Sequence, residues 1–475
     1  MELKDVYKSV PFQHQVEALT KGKDYKNFAY FMEMGTGKTK VTIDNANYLY
    51  MKKQINDVIV LAPNSVYTNW IDEIKNHSKL EPDIFVWKKS KEKLLKKYKY
   101  NNFFWILMNI ESLSRAKGKK FLEEQLIKRG PNTLLIIDES TTIKNKQALR
   151  TKSLLHMARA AKYKRILTGS PVTKSPLDLY TQCAFLDKSL LGFTSYYAFR
   201  NRYAEMQEIH LGTHTTKIPR KYINLEELEV KLKNFSYRCR KDECLDLPYK
   251  MHIQRYVDMT TEQEKAYTKL KKEARAIIEN EEVSFANKLT EIIKLHQVSC
   301  GFVKTNSGEL IKFENNPKLK ELEQVLEETN EKSIIWANYI ANIKDIIKLL
   351  EDKYGKEAVV SIYGEVSVDN RSEAVRRFQN DPRCRFFVGN PSVGGYGLTL
   401  TAARNVIYFS NSYNLEHRQQ SEDRCHRIGQ TSSNPVTYVD LLSNDSIDRL
   451  ILLSLQTKKS LSHQIMGDKI KLFFK

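Results

Sequence analysis

This sequence has no stretch approaching the roughly 18 consecutive apolar residues that a membrane-spanning helix needs, so no such helix is expected. Its opening, Met1-Glu-Leu-Lys-Asp5, has no apolar core of a secretory signal. A soluble protein of the cell interior is the expectation. Cysteine is scarce, with six residues and no C-x-x-C pair. Cys239, Cys244, His296 and Cys300 can be grouped into a zinc set on paper, but the spacing is poor and ordinary reduced, buried thiols are the better reading. Fixed-period repeats and low-complexity tracts are missing too. Negative charge is in deficit: 57 Asp+Glu against 77 Lys+Arg leave a formal net charge of +20. Such an excess favours a polyanionic partner, most commonly nucleic acid, although a merely lysine-rich soluble protein would show the same balance.

With 475 residues, 41% of them apolar, the chain is long enough for two or three packed domains. Strand-like runs at Asn27–Phe31, Val58–Ala62, Thr133–Ile137 and Arg165–Leu167 alternate with helical or polar stretches. That alternation predicts a parallel sheet with crossover helices. From about residue 186 to 315 strand-like runs thin out and charge rises. Thr261 and Glu264 form a capping-box pattern ahead of a Lys/Glu/Ala-rich stretch, so mostly helical material is expected there. Alternation then resumes. Asn316-Pro317 supplies an N-cap and a first-turn proline, and Leu319, Leu322, Val325 and Leu326 follow at helical spacing. Strand-like runs recur at Ser333–Ala337, Val359–Tyr363, Phe386–Val388, Val406–Phe409 and Val436–Leu441. Ile447, Leu450, Ile451 and Leu455 predict one apolar face of a last helix. The expected organisation is an α/β lobe over 1–185, helical protrusions and linker over 186–315, and a second α/β lobe with a C-terminal helix over 316–475.

The strongest local motif is Met32-Glu-Met-Gly-Thr-Gly-Lys-Thr39, between a strand-like run and a helix-compatible segment. Gly35 and Gly37 let the backbone around Thr36 wrap a phosphate with its N–H groups inward, and a helix N-terminus adds a positive dipole end. Lys38 is expected to reach the β/γ-phosphates and Thr39 to hold Mg²⁺. Met32 stands where the first glycine of the full phosphate-loop pattern would be. About 100 residues on, Leu134-Leu-Ile-Ile-Asp-Glu139 brings two carboxylates to a strand end, Asp138 for the metal and Glu139 for the attacking water. Far downstream, Arg424 and Arg427 are three residues apart and share a face of any helix or tight turn. Delivered by a second lobe they would stabilise charge on a transferring phosphoryl group; alone they would be better read as a solvated basic helix.

Together these segments resemble helicase superfamily two, and in detail its Swi/Snf-type branch of DNA translocases. Asp138-Glu-Ser-Thr-Thr-Ile-Lys-Asn145, Leu167-Thr-Gly-Ser-Pro171, Gly394-Gly-Tyr-Gly-Leu-Thr-Leu-Thr-Ala-Ala403 and Asp423-Arg-Cys-His-Arg-Ile-Gly-Gln430 carry the resemblance. Pro11-Phe-Gln-His-Gln15 is similar to the adenine-reading segment, with Gln15 as its glutamine. The resemblance runs from about residue 10 to 455 and departs from the family at Met32, at Ser140-Thr141 and at Ser412-Tyr-Asn-Leu415. It implies two RecA-like P-loop lobes with ATP between them and DNA lying across both, moved along without strand separation.

Positions matching the family's DNA contacts are Asn64, Ser65, Lys144, Asn145, Asn390 and Thr399, where loop or turn structure is an equally good reading. Thr168, Gly169 and Ser170, with Gly397, are expected to couple nucleotide state to DNA, or simply to form turns. Trp336 could stack on a base, but a core aromatic is the better reading. The expected function is a DNA-dependent ATPase, a monomeric motor on double-stranded DNA, with forked or branched DNA as an open alternative, using ATP and Mg²⁺. The alternatives are a strand-separating helicase and a DNA-binding regulator on a decayed ATPase scaffold; intact Lys38, Asp138, Glu139, Arg424 and Arg427 argue against the latter. With about 45 residues following Gln430, neither a nuclease nor a histone-reading module is expected. A bare motor of bacterial or phage origin, acting in the cytoplasm in replication, repair or recombination, is expected.

Overall fold

Residues that alternate between apolar runs and amphipathic stretches can bury both faces of a sheet only under helices, and the chain does this twice. The computed structural model describes residues 2–63, 67–88, 90, 92, 95, 103–211, 214–245, 250–279, 285–305, 307–366, 368–394, 398–426 and 435–466. Two compact units result: Met1–Glu205 with Lys221–Leu245 and Ser460–Lys475, and Met206–Arg220 with Asp246–Lys459.

The first unit is built on β1 (Asn27–Met32), β2 (Asp57–Ala62), β3 (Asp83–Val86), β4 (Phe104–Asn109), β5 (Thr133–Asp138) and β6 (Tyr163–Leu167). The chain then passes through β7 (Ala204–Leu211) and β8 (His214–Tyr222), a separate two-stranded sheet counted mostly with the second unit, and β9 (Ser236–Cys239) belongs to the first unit's main sheet. The sheet order is β3-β4-β2-β5-β6-β1-β9, and every neighbouring pair is parallel. Its strands are apolar because both faces are covered; all six residues of β5 and of β2 are buried. Register fixes what meets at the carboxyl edge: Asp138 pairs with Leu167, Leu167 with Tyr30, and Met32 with Cys239. The ends of β5, β6, β1 and β9 therefore stand side by side, where open α/β sheets bind ligands.

The second unit uses β10 (Lys250–Val257), β13 (Ser333–Trp336), β14 (Val359–Ile362), β15 (Phe386–Gly389), β16 (Asn405–Tyr408) and β17 (Val436–Ser443), with a small hairpin of β11 (Phe302–Lys304) and β12 (Leu310–Lys312) beside them. Its sheet, β10-β17-β16-β13-β15-β14, is also entirely parallel. One core cluster holds Leu322, Ile335, Ile346 and Val388, another Trp336, Phe378, Phe387 and Tyr438.

The middle stretch departs from the helical expectation. Helices Thr261–Glu279 and Phe285–Ser299 are present, but β9 completes the first sheet and β10 the second. β10 carries no strand-like run because its burial alternates, as befits a sheet edge, and many of its residues are polar. The capping box lies one residue earlier than expected: the Thr260 N–H donates to Gln263 Oε1 at 3.0 Å and the Gln263 N–H to Thr260 Oγ1 at 3.3 Å. Asn316 caps Pro317–Glu327 as expected, accepting from the Lys318 N–H. On helix Ile447–Met466, Ile447, Ile451 and Leu455 are buried while Leu450 faces solvent. No helix among the described residues is long and apolar enough to cross a membrane.

Candidate nucleotide site and nucleic-acid contacts

The phosphate loop runs from the end of β1 into helix Lys38–Met51. Gly35 and Gly37 both have positive φ, 84° and 85°, the left-handed conformation that only glycine takes without strain. Gly37 is required a second time: a Cβ there would collide with Gln15 Nε2. Gln15 itself is buried on helix Gln13–Gly22. Its Nε2 donates to the Thr36 carbonyl at 3.2 Å and its Oε1 accepts from the Phe12 N–H at 3.1 Å. The adenine-reading candidate and the phosphate loop are thus one hydrogen-bonded unit.

Lys38 and Glu139, 101 positions apart, meet at 3.9 Å, both buried. Asp138 ends β5 and accepts from the Trp70 indole N–H at 3.0 Å. Burial raises the Asp138 carboxyl above its ordinary range, while Lys38, the Trp70 bond and the Glu139 N–H pull it down. A carboxylate so placed is short of positive charge, which is what a divalent cation supplies. Glu139 has φ 50°, left-handed for a non-glycine residue, a strain that persists only where neighbours over-determine it. Thr39 is the second residue of the helix and half-buried. Gln15, Gly35–Thr39, Asp138 and Glu139 are therefore brought together.

The segment after β6 lies between these halves. Thr168 is buried, and its hydroxyl oxygen accepts from the Ser170 N–H at 3.2 Å. A Cβ on Gly169 would come within 3.2 Å of Met34 N and 3.3 Å of Glu33 Cα, so this glycine lets the segment touch the phosphate loop. Three residues that the sequence did not announce tie the parts together. Gln182, fully buried, accepts from the Ser140 hydroxyl at 2.7 Å and donates to the Pro171 carbonyl at 2.8 Å. Ser140 thus links the Asp-Glu turn to the Leu167–Pro171 segment from the position where the family pattern differs. Arg238 on β9 donates to the Gly169 carbonyl at 3.0 Å and pairs with Glu33 at 3.4 Å. Trp70 is the third; a glutamine, an arginine and a tryptophan on distant elements carry no local pattern that could have revealed them.

The other expected residues fare differently. Arg424, in the second unit, is buried, and its guanidinium donates to the Gln420 carbonyl at 2.9 Å and the Leu398 carbonyl at 3.2 Å. These two bonds hold the guanidinium against carbonyls of its own unit. Arg427, Gly397, Asn64 and Ser65 lie outside the described residues. Asn145 is exposed and its Oδ1 accepts from the Gln147 N–H at 2.9 Å, while Lys144 Nζ donates to Thr173 Oγ1 at 2.7 Å. Next to them Lys146 sits 3.8 Å from the Tyr196 ring and 4.0 Å from that of Tyr197. Asn390 makes turn bonds, its Nδ2 donating to the Asn338 carbonyl at 2.8 Å and its Oδ1 accepting from the Ser392 N–H at 2.8 Å. Thr399 is half-buried. Trp336 is fully buried against Phe387, which removes base stacking. The four-residue zinc set is not assembled: His296 shares a 2.9 Å hydrogen bond with the Tyr339 hydroxyl and Cys300 packs in the core of the second unit.

A parallel-sheet unit with this loop, this carboxylate pair and this glutamine defines a P-loop nucleoside triphosphatase. The SNF2-related domain family matches residues 25–301, and the helicase conserved C-terminal domain family matches residues 317–429. The chain belongs to the SNF2-related family. It is similar to mouse DNA annealing helicase and endonuclease ZRANB3, 26% identical over 461 residues that cover 93% of this chain and 39% of that protein. It is also similar to the ATP-dependent DNA helicase DDM1 of Arabidopsis thaliana, 26% identical, covering 92% of this chain and 58% of that one. The chain thus spans less than two thirds of the length of these relatives. A solved structure, the Sulfolobus solfataricus SWI2/SNF2 ATPase core in complex with dsDNA, is 26% identical and covers 97% of this chain and 94% of that one, with a TM-score of 0.45.

Proposed function

We propose that this protein is a DNA-dependent ATPase that moves along double-stranded DNA. The observation that carries the proposal is the meeting of Lys38 with Glu139 beside Asp138, on a loop that Gln15 holds by hydrogen bond. Gln15 would read the adenine, Gly35–Lys38 would cradle the phosphates, and Glu139 would orient and deprotonate the attacking water. Asp138 and Thr39 fit Mg²⁺, which would neutralise charge on the phosphates. Arg427, supplied by the second unit, is the group proposed to stabilise the transition state. The net charge of +20 and the DNA helicase names of the relatives support DNA as the polyanion. Lys144 and Asn145, with Lys146 beside them, are the proposed phosphate contacts of the first unit, Asn390 and Thr399 those of the second. Work inside the cell, in replication, repair or recombination, belongs to the same reading.

The test is the ATPase rate with single-stranded, duplex and forked DNA and with RNA, at several ionic strengths. Duplex DNA is expected to stimulate hydrolysis most, with binding that weakens steeply as salt rises. Equal rates with and without DNA would refute the motor reading. Stimulation by single strands alone would favour a strand-separating helicase.

A further inference from the structure

We propose that His14, Cys239 and Cys244 form a site for a thiophilic divalent metal ion, zinc above all, at the edge of the nucleotide site. Three distant pieces of chain build it. β9 pairs with β1 so that Cys239 stands opposite Met32, at the strand end that leads into the phosphate loop. The chain then turns at Arg240 into the one-turn helix Lys241–Cys244, which brings the Cys244 thiol back to 3.2 Å from that of Cys239. His14 comes from helix Gln13–Gly22, one residue before Gln15. One ligand atom of each of the three lies within 4.8 Å of the other two.

The distances suit the ion. With Zn–S of about 2.3 Å and Zn–N of about 2.0 Å at tetrahedral angles, the sulfurs stand about 3.8 Å apart and each sulfur about 3.6 Å from the nitrogen. The observed thiol separation needs only a small outward rotation to reach that value. A disulfide would instead require closure to about 2.0 Å.

The histidine is set for the role. Its Nε2 lies 2.8 Å from the Thr36 carbonyl, which can only accept, so Nε2 carries a proton and, in the neutral ring, Nδ1 is the nitrogen with the lone pair. A metal-bound imidazole commonly donates its other N–H to a backbone carbonyl in this way. Phe12 stacks on the ring at 5.8 Å and 9°, which restrains its rotation. His14 and Cys239 are buried while Cys244 is half-buried, so three protein ligands face inward and a path from solvent remains. The fourth position would go to water, as in zinc sites with three protein ligands. Binding would release the two thiol protons and leave a neutral site. It would also clamp the Gln15 segment to the β9 edge of the sheet, so metal occupancy should be felt in nucleotide binding. Cys183, Cys300, Cys384 and Cys425 are buried elsewhere and serve as internal controls.

The experiment is metal analysis of the full chain after incubation with zinc and gel filtration, together with cobalt(II) titration of the metal-free protein. One zinc ion per chain is expected. Cobalt should produce thiolate-to-metal charge-transfer absorption and the intense visible bands of a tetrahedral site, saturating at one equivalent. His14→Ala and Cys244→Ser should each weaken cobalt binding by roughly a hundredfold or more, whereas Cys384→Ala should leave it unchanged. Wild-type protein is itself decisive should a variant fail to fold. Substoichiometric zinc with no charge-transfer band overturns the site. So does full zinc retention in Cys239→Ala/Cys244→Ser, or a Cys239–Cys244 disulfide found by mass in protein prepared with reductant.

Discussion

Gln182 offers the most searching test of how the two halves of the nucleotide site communicate. It is fully buried and bridges the Ser140 hydroxyl at 2.7 Å to the Pro171 carbonyl at 2.8 Å, with a further bond to the Asp178 carbonyl at 2.8 Å. Ser140 follows Glu139, whose left-handed φ of 50° must be held by its surroundings. Gln182→Leu keeps the volume but strands a hydroxyl and at least one carbonyl. At about 1–3 kcal/mol for each buried polar group left unsatisfied, the loss should be about 2–5 kcal/mol. Ser140→Ala alone should cost about 1–3 kcal/mol, because it strands the glutamine oxygen. The double variant no longer contains that mismatched pair, so it should be less damaging than the sum by about 1–2 kcal/mol. Denaturant unfolding of the four proteins measures this coupling. Basal and DNA-stimulated ATPase should separate as well: the KM for ATP should hold, since the phosphate loop is untouched, while DNA stimulation drops several-fold. Additive stability changes within about 0.5 kcal/mol, with unchanged stimulation, would refute the bridge.

Two further outcomes concern the proposed catalytic groups and a third a buried histidine of the second unit. Glu139→Gln should abolish turnover yet leave nucleotide bound, whereas Lys38→Ala should weaken binding as well; equilibrium binding and ATPase rates measured separately distinguish them, and substantial hydrolysis by Glu139→Gln would overturn its role. Arg424→Ala should destabilise the second unit by about 2–4 kcal/mol, since its guanidinium serves the Gln420 and Leu398 carbonyls, while Arg427→Ala should leave the melting temperature alone and cut kcat by about 10³–10⁵-fold. Near-wild-type turnover by Arg427→Ala would remove it from the chemistry. Burial pushes His296 down from 6.5 to about 4, against the pull of Asp448 and with a push from Lys318. Its folded pKa lies below its unfolded one, so the stability it contributes is present above about pH 6.5 and is lost as pH falls through 4, about 3 kcal/mol in all; His296→Gln should flatten that limb of a stability-against-pH curve, and an unchanged slope would refute the assignment.

What the sequence made legible was whatever has a local pattern. β1, β2, β5 and β6 were visible as apolar runs because strands buried on both faces need nothing else. β4, Phe104-Trp-Ile-Leu-Met-Asn109, is equally apolar but follows a run of lysines and tyrosines that masks its pattern. The phosphate loop and the Asp-Glu pair were legible because each is set by consecutive residues. Pairings across the fold were not. Arg165, inside an expected strand, is fully buried, with its guanidinium donating to Asn45 and to the Gly22, Tyr25, Lys26 and Lys164 carbonyls. Arg418 is buried too, holding helix Leu415–Glu422 to β17 through Asp440. A buried arginine is tolerated only when its donors find partners, and those partners are dispersed along the chain. The same dispersal hid His14 beside Cys239 and Cys244, while His296 and Cys300, nearer in number, belong elsewhere.

Strand order sets the Leu167–Pro171 segment between the two halves of the nucleotide site, which is where the proposed coupling role would need it. β6 lies between β5, which carries Asp138 and Glu139, and β1, which carries the phosphate loop. Neighbouring strands are about 4.8 Å apart, so the two halves of the site are about 10 Å apart across the sheet, and only long side chains such as Lys38 and Glu139 close the gap. Any shift of Glu139 relative to the loop must be accommodated by what β6 places between them. Gly169 touches Met34 and Glu33 on one side, and Pro171 is tied through Gln182 to Ser140 on the other. The segment therefore has a contact with each half, one through backbone packing and one through a buried hydrogen-bond chain. A side chain at position 169 would push the phosphate loop away, since its Cβ would already stand 3.2 Å from Met34 N. Hydrogen-bond chains and packed backbone respond to displacements well below 1 Å. On the proposed reading, a change in nucleotide state at Lys38 or Glu139 would reach Thr168–Pro171 without requiring any large movement within the first unit.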